Sequence, residues 1–288
     1  MIKTILVPSS GSQADERVFA TALSMAKPLA AHLQFLHLRI EASEAVRRVP
    51  HAEYCHGRAI GAVLEEVHER TDQLAQQAHA HFESFCASRG LTLGDFPAEF
   101  QGVTASWSQH THDAGMSLIS QARHHDITVV ARRHHEDLMP ADLIERLLIG
   151  SGRPVLIAAD APGRSFGEHA VVAWKERPES ARALAAALPI LRHAREVTLL
   201  SVLEEGCASL AALEDVTRLL LWHGIRATAR ILDLECSAIE ALPSAAQRIG
   251  ADLLVTGGFG HRPLRELVFG GVTQRLLEHA DVPVLMMH

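Results

Sequence analysis

Four glycines near the end of the chain have the spacing of a site that binds an anion through backbone N–H groups. Gly257, Gly260, Gly270 and Gly271 follow the apolar run at residues 253–255. Glycine lets the backbone approach an anion closely, and the free N–H groups at the start of a following helix point toward it. A P-loop does not fit, since no Gly-Lys-Thr/Ser follows, and neither does the dinucleotide fingerprint, because the glycines follow no early βαβ unit. The spacing therefore predicts a phosphate-binding loop of another kind.

The arrangement Gly-x2-Gly-x9-Gly, set before the last helix and strand of a small α/β domain, resembles the ATP-binding signature of the universal stress protein family. The resemblance is specific over residues 251–288 and looser over both halves of the chain. It implies that the first two glycines line the α-phosphate side and that later backbone N–H groups bind the other phosphates. The residues it assigns to the phosphates are Gly257, Gly260, Gly270, Gly271, Val272 and Thr273, with the Thr273 hydroxyl as a further donor.

Two positions depart from that family's pattern. The family usually has Ser or Thr after the third glycine, whereas this chain has Gly271, so one hydroxyl is lost while the amide stays. Members that bind ATP usually carry an Asp at the end of the first strand, where it contacts the ribose. The matching positions here are Ser10 and Lys175, and a lysine cannot accept a hydrogen bond. Lys175 could meet a phosphate or an acidic neighbour such as Glu204, and a solvated surface lysine is the alternative.

Residues beside this turn complete the implied site. Val202 and Leu203, at the end of a predicted strand, match positions whose backbone contacts the adenine in the family. Trp174 could stack on a base, although a tryptophan at a strand end more often belongs to the core. The resemblance thus implies ATP, with or without Mg, as the ligand of the second half.

The patterns of strands and helices restart once along the chain, which predicts a tandem duplication. Three strings recur in the same order: 125–131 with 251–257, 144–150 with 273–279, and 152–160 with 281–288. A linker rich in Pro, Gly and charge occupies residues 160–168. We therefore expect domains at 1–160 and 168–288, each an α/β domain of Rossmann-like or flavodoxin-like type. Each should hold a five-stranded parallel sheet with helices on both faces.

The strands of the first half can be placed from apolar runs. We expect them at residues 2–8, 33–40, 97–100, 127–131 and 154–158. The last strands of the halves, Pro154–Ala158 and Pro283–Met287, are apolar, and the resemblance places them at the sheet edges. Since an unpaired apolar edge is a liability, we expect the halves to pair through them as an intramolecular pseudo-dimer. A further homodimer is left open.

The first half lacks the glycine loop. After its fourth strand the chain reads Arg132-Arg133-His134-His135-Glu136-Asp137, which cannot form a backbone cradle. The two arginines could still bind an anion through their side chains. At the first turn, Ser12 and Asp15 have the spacing of a helix-capping pair. We expect a half that kept its fold and lost its site.

Composition narrows the function classes. A net charge of -7 without a basic run argues against nucleic acid, and no apolar stretch is long enough for a membrane helix. Four scattered cysteines and a start without signal-peptide features suit the cytoplasm. The 19 histidines are expected to be solvated or hydrogen-bonded, because neighbouring residues on a helix point to different sides and cannot share one metal ion.

The sequence therefore favours a tandem universal stress protein with an adenine-nucleotide site in the second half and a regulatory role in a stress response. One alternative is a nucleotide-free scaffold, which Lys175 and Gly271 favour and the glycine spacing opposes. The other is a slow ATP hydrolase. No pairing of nucleophile and base stands out, so an enzymatic function would rest on that hydrolysis alone.

Overall fold

A computed structural model describes residues 1–39, 58–94, 102–111, 114–132, 142–160, 165–202, 210–232, 238–258 and 280–288. In the first half the strands are β1 (Thr4–Ser9), β2 (His32–Arg39), β3 (Thr92–Leu93), β4 (Thr104–Thr111), β5 (Ile127–Val130) and β6 (Val155–Ile157). The helices there are α1 (Ala14–Leu29), α2 (Arg58–Arg89), α3 (Ala114–Arg123) and α4 (Leu143–Ser151).

The second half repeats the alternation of strands and helices. Its strands are β7 (His169–Ala173), β8 (Glu196–Val202), β9 (Ala227–Leu232), β10 (Leu253–Gly257) and β11 (Val284–Met287). Its helices are α5 (Pro178–Leu191), α6 (Leu210–Trp222) and α7 (Ala238–Arg248). None of the helices within the described ranges is both long and apolar enough to cross a membrane.

All these strands form one sheet in the order β3-β4-β2-β1-β5-β6-β11-β10-β7-β8-β9. Neighbouring strands are parallel within each half, and the halves meet where β6 and β11 pair antiparallel, with Leu156 opposite Leu285. Both of these leucines are fully buried. The expected pairing of the last strands is therefore confirmed, and it removes two apolar edges from solvent.

The first half differs from expectation in its outer strands. The third long strand is β4, whereas we expected a strand at residues 97–100, which lie outside the described residues. The two-residue β3 adds a sixth strand to this half. β4 has no apolar run because polar side chains link it to β2: the ring of His32 bonds to the Thr104 and Ser106 hydroxyls at 2.7 and 2.8 Å. Apolar periodicity alone could not find a strand of this kind.

Helices cover both faces of the sheet, as expected. On one face α1, α2, α5 and α6 contribute to a core cluster that contains Phe19, Phe82 and Leu213. On the other face α3, α4 and α7 pack over a second cluster that contains Leu118, Leu147 and Leu242. Burial of apolar area on both faces is the main stabilising contribution in such a fold.

One detail of the strand starts is the same in both halves. Asp126 accepts hydrogen bonds from two successive backbone N–H groups at the start of β1, at 2.7 and 3.0 Å. Asp252 does the same at the start of β7, at 3.1 and 3.0 Å. These two aspartates occupy equivalent places in the repeated strings, so the structure repeats the polar contact as well as the strand pattern.

Candidate functional site

The structure brings three of the predicted site residues to one edge of the sheet. Gly257 ends β10, Val202 ends β8, and Lys175 lies two residues beyond the end of β7. These strands run parallel to one another, so their carboxyl ends meet at the same edge, where open α/β sheets bind ligands. The predicted residues Leu203, Gly260, Gly270, Gly271, Val272 and Thr273 lie outside the described residues.

Gly257 is required by a close approach between β10 and the start of α5. A Cβ atom on Gly257 would lie 2.7 Å from the backbone nitrogen of Ser180 and 2.8 Å from the carbonyl carbon of Glu179. Both are backbone atoms, so they could not move aside without shifting the helix. The first half has Ala131 at the equivalent position. The glycine therefore lets the strand end lie against the helix N-terminus that closes this part of the site.

Backbone hydrogen bonds hold the turn between β7 and α5. The backbone N–H of Lys175 donates to the Ser180 hydroxyl at 3.3 Å, and the backbone N–H of Trp174 donates to the Leu200 carbonyl at 2.7 Å. The Trp174 ring packs against the first core cluster. Its Nε1–H is buried and has no hydrogen-bond partner in the described part of the chain.

The rim of the site contains residues that the sequence analysis did not select. Arg182 of α5 donates from Nε to the backbone oxygen of His288 at 2.7 Å, and from Nη2 to Glu179 at 3.4 Å. The His288 ring donates from Nδ1 to the carbonyl of Gly258 at 3.2 Å. Arg182 and His288 thus join the start of α5, the end of β11 and the residue that follows β10. No local pattern marks them, since the contact joins residues 106 positions apart.

The equivalent turn of the first half is closed by its own carboxylate. Asp15 is buried and accepts hydrogen bonds from the Ser9 hydroxyl at 2.7 Å, the Ser10 backbone N–H at 2.8 Å and the Ser10 hydroxyl at 2.9 Å. It also accepts from the Gly11 backbone N–H at 2.9 Å and from the His81 ring at 3.2 Å. The expected pairing of Ser12 with Asp15 as a helix cap is wrong in this respect: Asp15 binds the turn before Ser12.

The long helix α2 covers the carboxyl edge of the first half. Its later part packs on the first core cluster through Phe82, and Val67, nearer its start, packs on the second cluster across the sheet. Between them the Leu74 carbonyl lies directly against Gly11, where a Cβ would overlap it. Asp72 of the same helix forms an ion pair with Arg39 at the end of β2. The helix therefore lies across the strand ends where a ligand would otherwise bind.

Arg132, a candidate anion-binding residue of the first half, is already engaged. The residue is only 3% exposed, and its Nη2 donates to the Val282 carbonyl at 3.4 Å in the other half. Its Nε lies 3.6 Å from the Asp160 carboxylate. Burial lowers the pKa of Arg132, while Asp160 and Asp281 raise it. Arg132 joins the two halves, and residues 133–137 lie outside the described residues.

Two of the described histidines bond to backbone carbonyls. The buried ring of His37 donates to the Ser9 carbonyl at 2.8 Å, and His125 donates to the Gln121 carbonyl at 2.7 Å. Burial lowers the pKa of both rings despite these hydrogen bonds. Within the described ranges no three His, Cys, Asp or Glu side chains converge as a metal site requires. Burial also raises the pKa of the Cys86 thiol to about 11, so that thiol is protonated at neutral pH.

Comparison with known proteins bears on the half that holds the candidate site. Residues 168–288 match the sequence profile of the Universal stress protein family. Among curated proteins, the Stress response protein NhaX of Bacillus subtilis (strain 168) is 39% identical over 54 residues, which is 19% of this chain. The match spans about a third of that relative's length, 32%.

Solved structures match the chain over nearly its whole length. A universal stress protein from Archaeoglobus fulgidus DSM 4304 has a TM-score of 0.67 at 17% identity, covering 99% of this chain and 97% of that one. A functionally unknown protein from Pseudomonas aeruginosa PAO1 has a TM-score of 0.58 at 15% identity, covering 99% of this chain and 92% of that one. At these identities the likeness is one of fold. The second half, residues 168–288, thus matches the universal stress protein family, and over its full length the chain shares the fold of these two structures.

Proposed function

We propose that the second half binds one adenine nucleotide, ATP in the first instance, and that the protein acts as a regulator in a stress response. The observation that carries the proposal is the convergence of Lys175, Val202 and Gly257 at one edge of the sheet, next to the N-terminus of α5. A helix N-terminus favours an anion through its free N–H groups and its dipole. In this proposal the glycines that follow Gly257 in the motif would supply further backbone donors.

The first half supports the proposal by contrast. Its equivalent turn is filled by the Asp15 carboxylate, and α2 lies across its strand ends. A nucleotide would have to displace both. We therefore expect one nucleotide per chain, bound in the second half, with Mg as an accompanying ion where phosphates need charge compensation. A cytoplasmic location fits a regulator of this kind and is part of the proposal.

Titration calorimetry with ATP, with and without Mg, tests the proposal on the wild type and on Gly270→Val. We expect one site per chain in the wild type. The variant should lose affinity by orders of magnitude, because a branched side chain would block backbone N–H groups whose charge-assisted hydrogen bonds contribute about 1.5–3 kcal/mol each. Gly61→Ala is the matched control, since a Cβ there meets nothing within 4 Å.

Three results would contradict the proposal. They are a wild type that does not bind ATP, two equivalent sites per chain, and unchanged affinity in Gly270→Val. Melting curves recorded on the same samples show whether a variant has lost its fold instead of its ligand.

One observation favours the scaffold alternative. Three large apolar residues at the end of α6 are exposed: Leu219 by 47%, Leu221 by 54% and Trp222 by 85%. They lie next in sequence to β9, the last strand of the sheet, whose residues 228–230 are also exposed. Such a surface suits a protein contact. A wild type without affinity for ATP would make this alternative the better account.

A further inference from the structure

The turns that follow β1 and β7 are equivalent parts of the two halves. Ile5 of β1 lies opposite Ile127, and Ala170 of β7 lies opposite Leu253. Ile127 and Leu253 are themselves equivalent in the repeated strings, so Ile5 corresponds to Ala170. Counting along the chain from these two residues, the equivalent pairs are Ser9 with Trp174, Ser10 with Lys175 and Asp15 with Ser180.

The first of these turns has an internal acceptor for its donors. Two backbone N–H groups, two hydroxyls and the His81 ring all donate to the Asp15 carboxylate. An ionised carboxylate can accept several hydrogen bonds, and bonds to a charged acceptor are roughly twice as strong as neutral ones. The turn is therefore complete without a ligand.

Among the residues that the structure describes, the second turn has no carboxylate in that place. Ser180, in the place of Asp15, offers a neutral hydroxyl that accepts from the Lys175 backbone N–H at 3.3 Å. Neither of the described acidic residues of this turn replaces the carboxylate, because Glu176 is exposed and Glu179 pairs with Arg182 at 3.4 Å. Relative to the first turn, the second has lost a buried negative charge and gained the positive charge of Lys175.

A second observation at the same strand end indicates a missing acceptor. The buried Nε1–H of Trp174 has no partner within the described residues. A buried indole N–H usually finds a partner, because an unpaired buried donor has lost its hydrogen bonds to water. Trp174 stands where Ser9 stands in the first half, and the Ser9 hydroxyl donates to Asp15 at 2.7 Å.

We propose that an anionic group of the bound nucleotide takes, at the β7–α5 turn, the place that the Asp15 carboxylate has in the first half. It accepts from the backbone of the turn and from the Trp174 indole N–H, beside the charge of Lys175. This inference rests on the proposed nucleotide site and specifies its ligand further. The family pattern has an Asp at this position, and its carboxylate accepts a hydrogen bond from a ribose hydroxyl. In this chain the protein donates instead, so an acceptor, a phosphate, replaces the hydroxyl.

Ser180→Asp tests the inference, with Ser180→Asn as its neutral control of the same shape. The new carboxylate should fill the turn as Asp15 does, so affinity for ATP should fall by about tenfold or more. The melting temperature should hold or rise, since the turn gains its internal acceptor. Ser180→Asn, which has the same shape as Asp without the charge, should weaken ATP binding less than Ser180→Asp does. Ser180→Asp with wild-type affinity would overturn the inference.

Tryptophan fluorescence supplies an independent readout. In Trp107→Phe/Trp222→Phe the one remaining tryptophan is Trp174, and its emission should shift when ATP or inorganic phosphate is added. Trp174→Phe keeps the aromatic ring and removes the N–H, so it should weaken ATP binding, whereas Trp222→Phe should not.

These readouts separate the two proposals. If the Trp174 emission responds to phosphate but the protein does not bind ATP, the nucleotide proposal is rejected. The inference that an anion binds at the β7–α5 turn then still holds. ATP binding with unchanged emission and full affinity in Trp174→Phe would overturn the inference alone. No response to either probe would overturn both.

Discussion

Gly257 belongs to a candidate binding motif and is also required by the close packing of β10 against the start of α5. We expect Gly257→Ala to destabilise the protein by about 1–3 kcal/mol, because the new methyl group would overlap backbone atoms at the start of α5. The overlap is with Ser180 and Glu179, at 2.7 and 2.8 Å. Chemical denaturation measures the loss, and ATP titration shows whether the displaced helix also weakens binding.

The neighbouring glycine is the control for that substitution. A Cβ on Gly258 would meet its nearest neighbours at 3.9 Å, which is ordinary contact. Gly258→Ala should therefore change stability much less than Gly257→Ala. Equal stability of the two variants would show that the close approach is not a constraint.

At the scale of the strands, the Asp126 carboxylate, next to β5, accepts hydrogen bonds at the start of β1. These hydrogen bonds make the stability of the strand pair depend on pH. Burial raises the pKa of the carboxyl, but hydrogen bonds from the Lys3 and Thr4 backbone N–H groups outweigh burial, so the pKa of Asp126 lies below its ordinary value of 3.8. The ionised form is thus favoured in the folded state. Its stabilisation is present above the ordinary Asp pKa and is lost as the pH falls through the lowered one.

We therefore expect Asp126→Asn to lower the free energy of unfolding by about 1–2 kcal/mol at pH 7. The difference from the wild type should shrink as the pH falls below the ordinary Asp range. Glu66→Gln, at an exposed position of α2, is the control, and its free energy of unfolding should stay close to that of the wild type at each pH. A difference for Asp126→Asn that stays constant down to strongly acid pH would contradict the assignment. Urea denaturation at a series of pH values makes the measurement.

At the scale of the whole molecule, the two halves share one sheet and one buried arginine. We expect Arg132→Ala to lower the free energy of unfolding by about 1–3 kcal/mol, since it leaves the Val282 carbonyl without this donor and breaks a contact to a half-exposed Asp160. Affinity for ATP should not change, because Arg132 serves the junction between the halves. Arg248→Ala, at an exposed position, is the matched control.

The same experiment distinguishes the two roles of Arg132. Loss of ATP binding at unchanged stability would show that the arginine belongs to an anion site in the first half. Loss of stability at unchanged affinity supports the junction that the structure shows.

Much of the architecture could be predicted from the sequence because the signals are local and repeated. Apolar runs place β1, β2, β5, β6, β10 and β11, and the recurring strings indicate the duplication. The apolar last strands predict the antiparallel pairing, which the opposed Leu156 and Leu285 confirm. β4 was not predicted, since its Thr104, Ser106 and Ser108 side chains resemble a loop when read without their partners His32 and Gln34 on β2.

The candidate site depended on the sequence for its motif and on the tertiary structure for its surroundings. The glycine spacing selected Gly257 and the family resemblance selected Lys175, but neither could show that Gly257 lies against α5 or that the Lys175 N–H donates to Ser180. Nor could they show that α2 covers the first half or that Arg132 reaches the second. These contacts join residues that are far apart in the chain. Only the packing of the folded chain brings such residues together, so only the tertiary structure decided them.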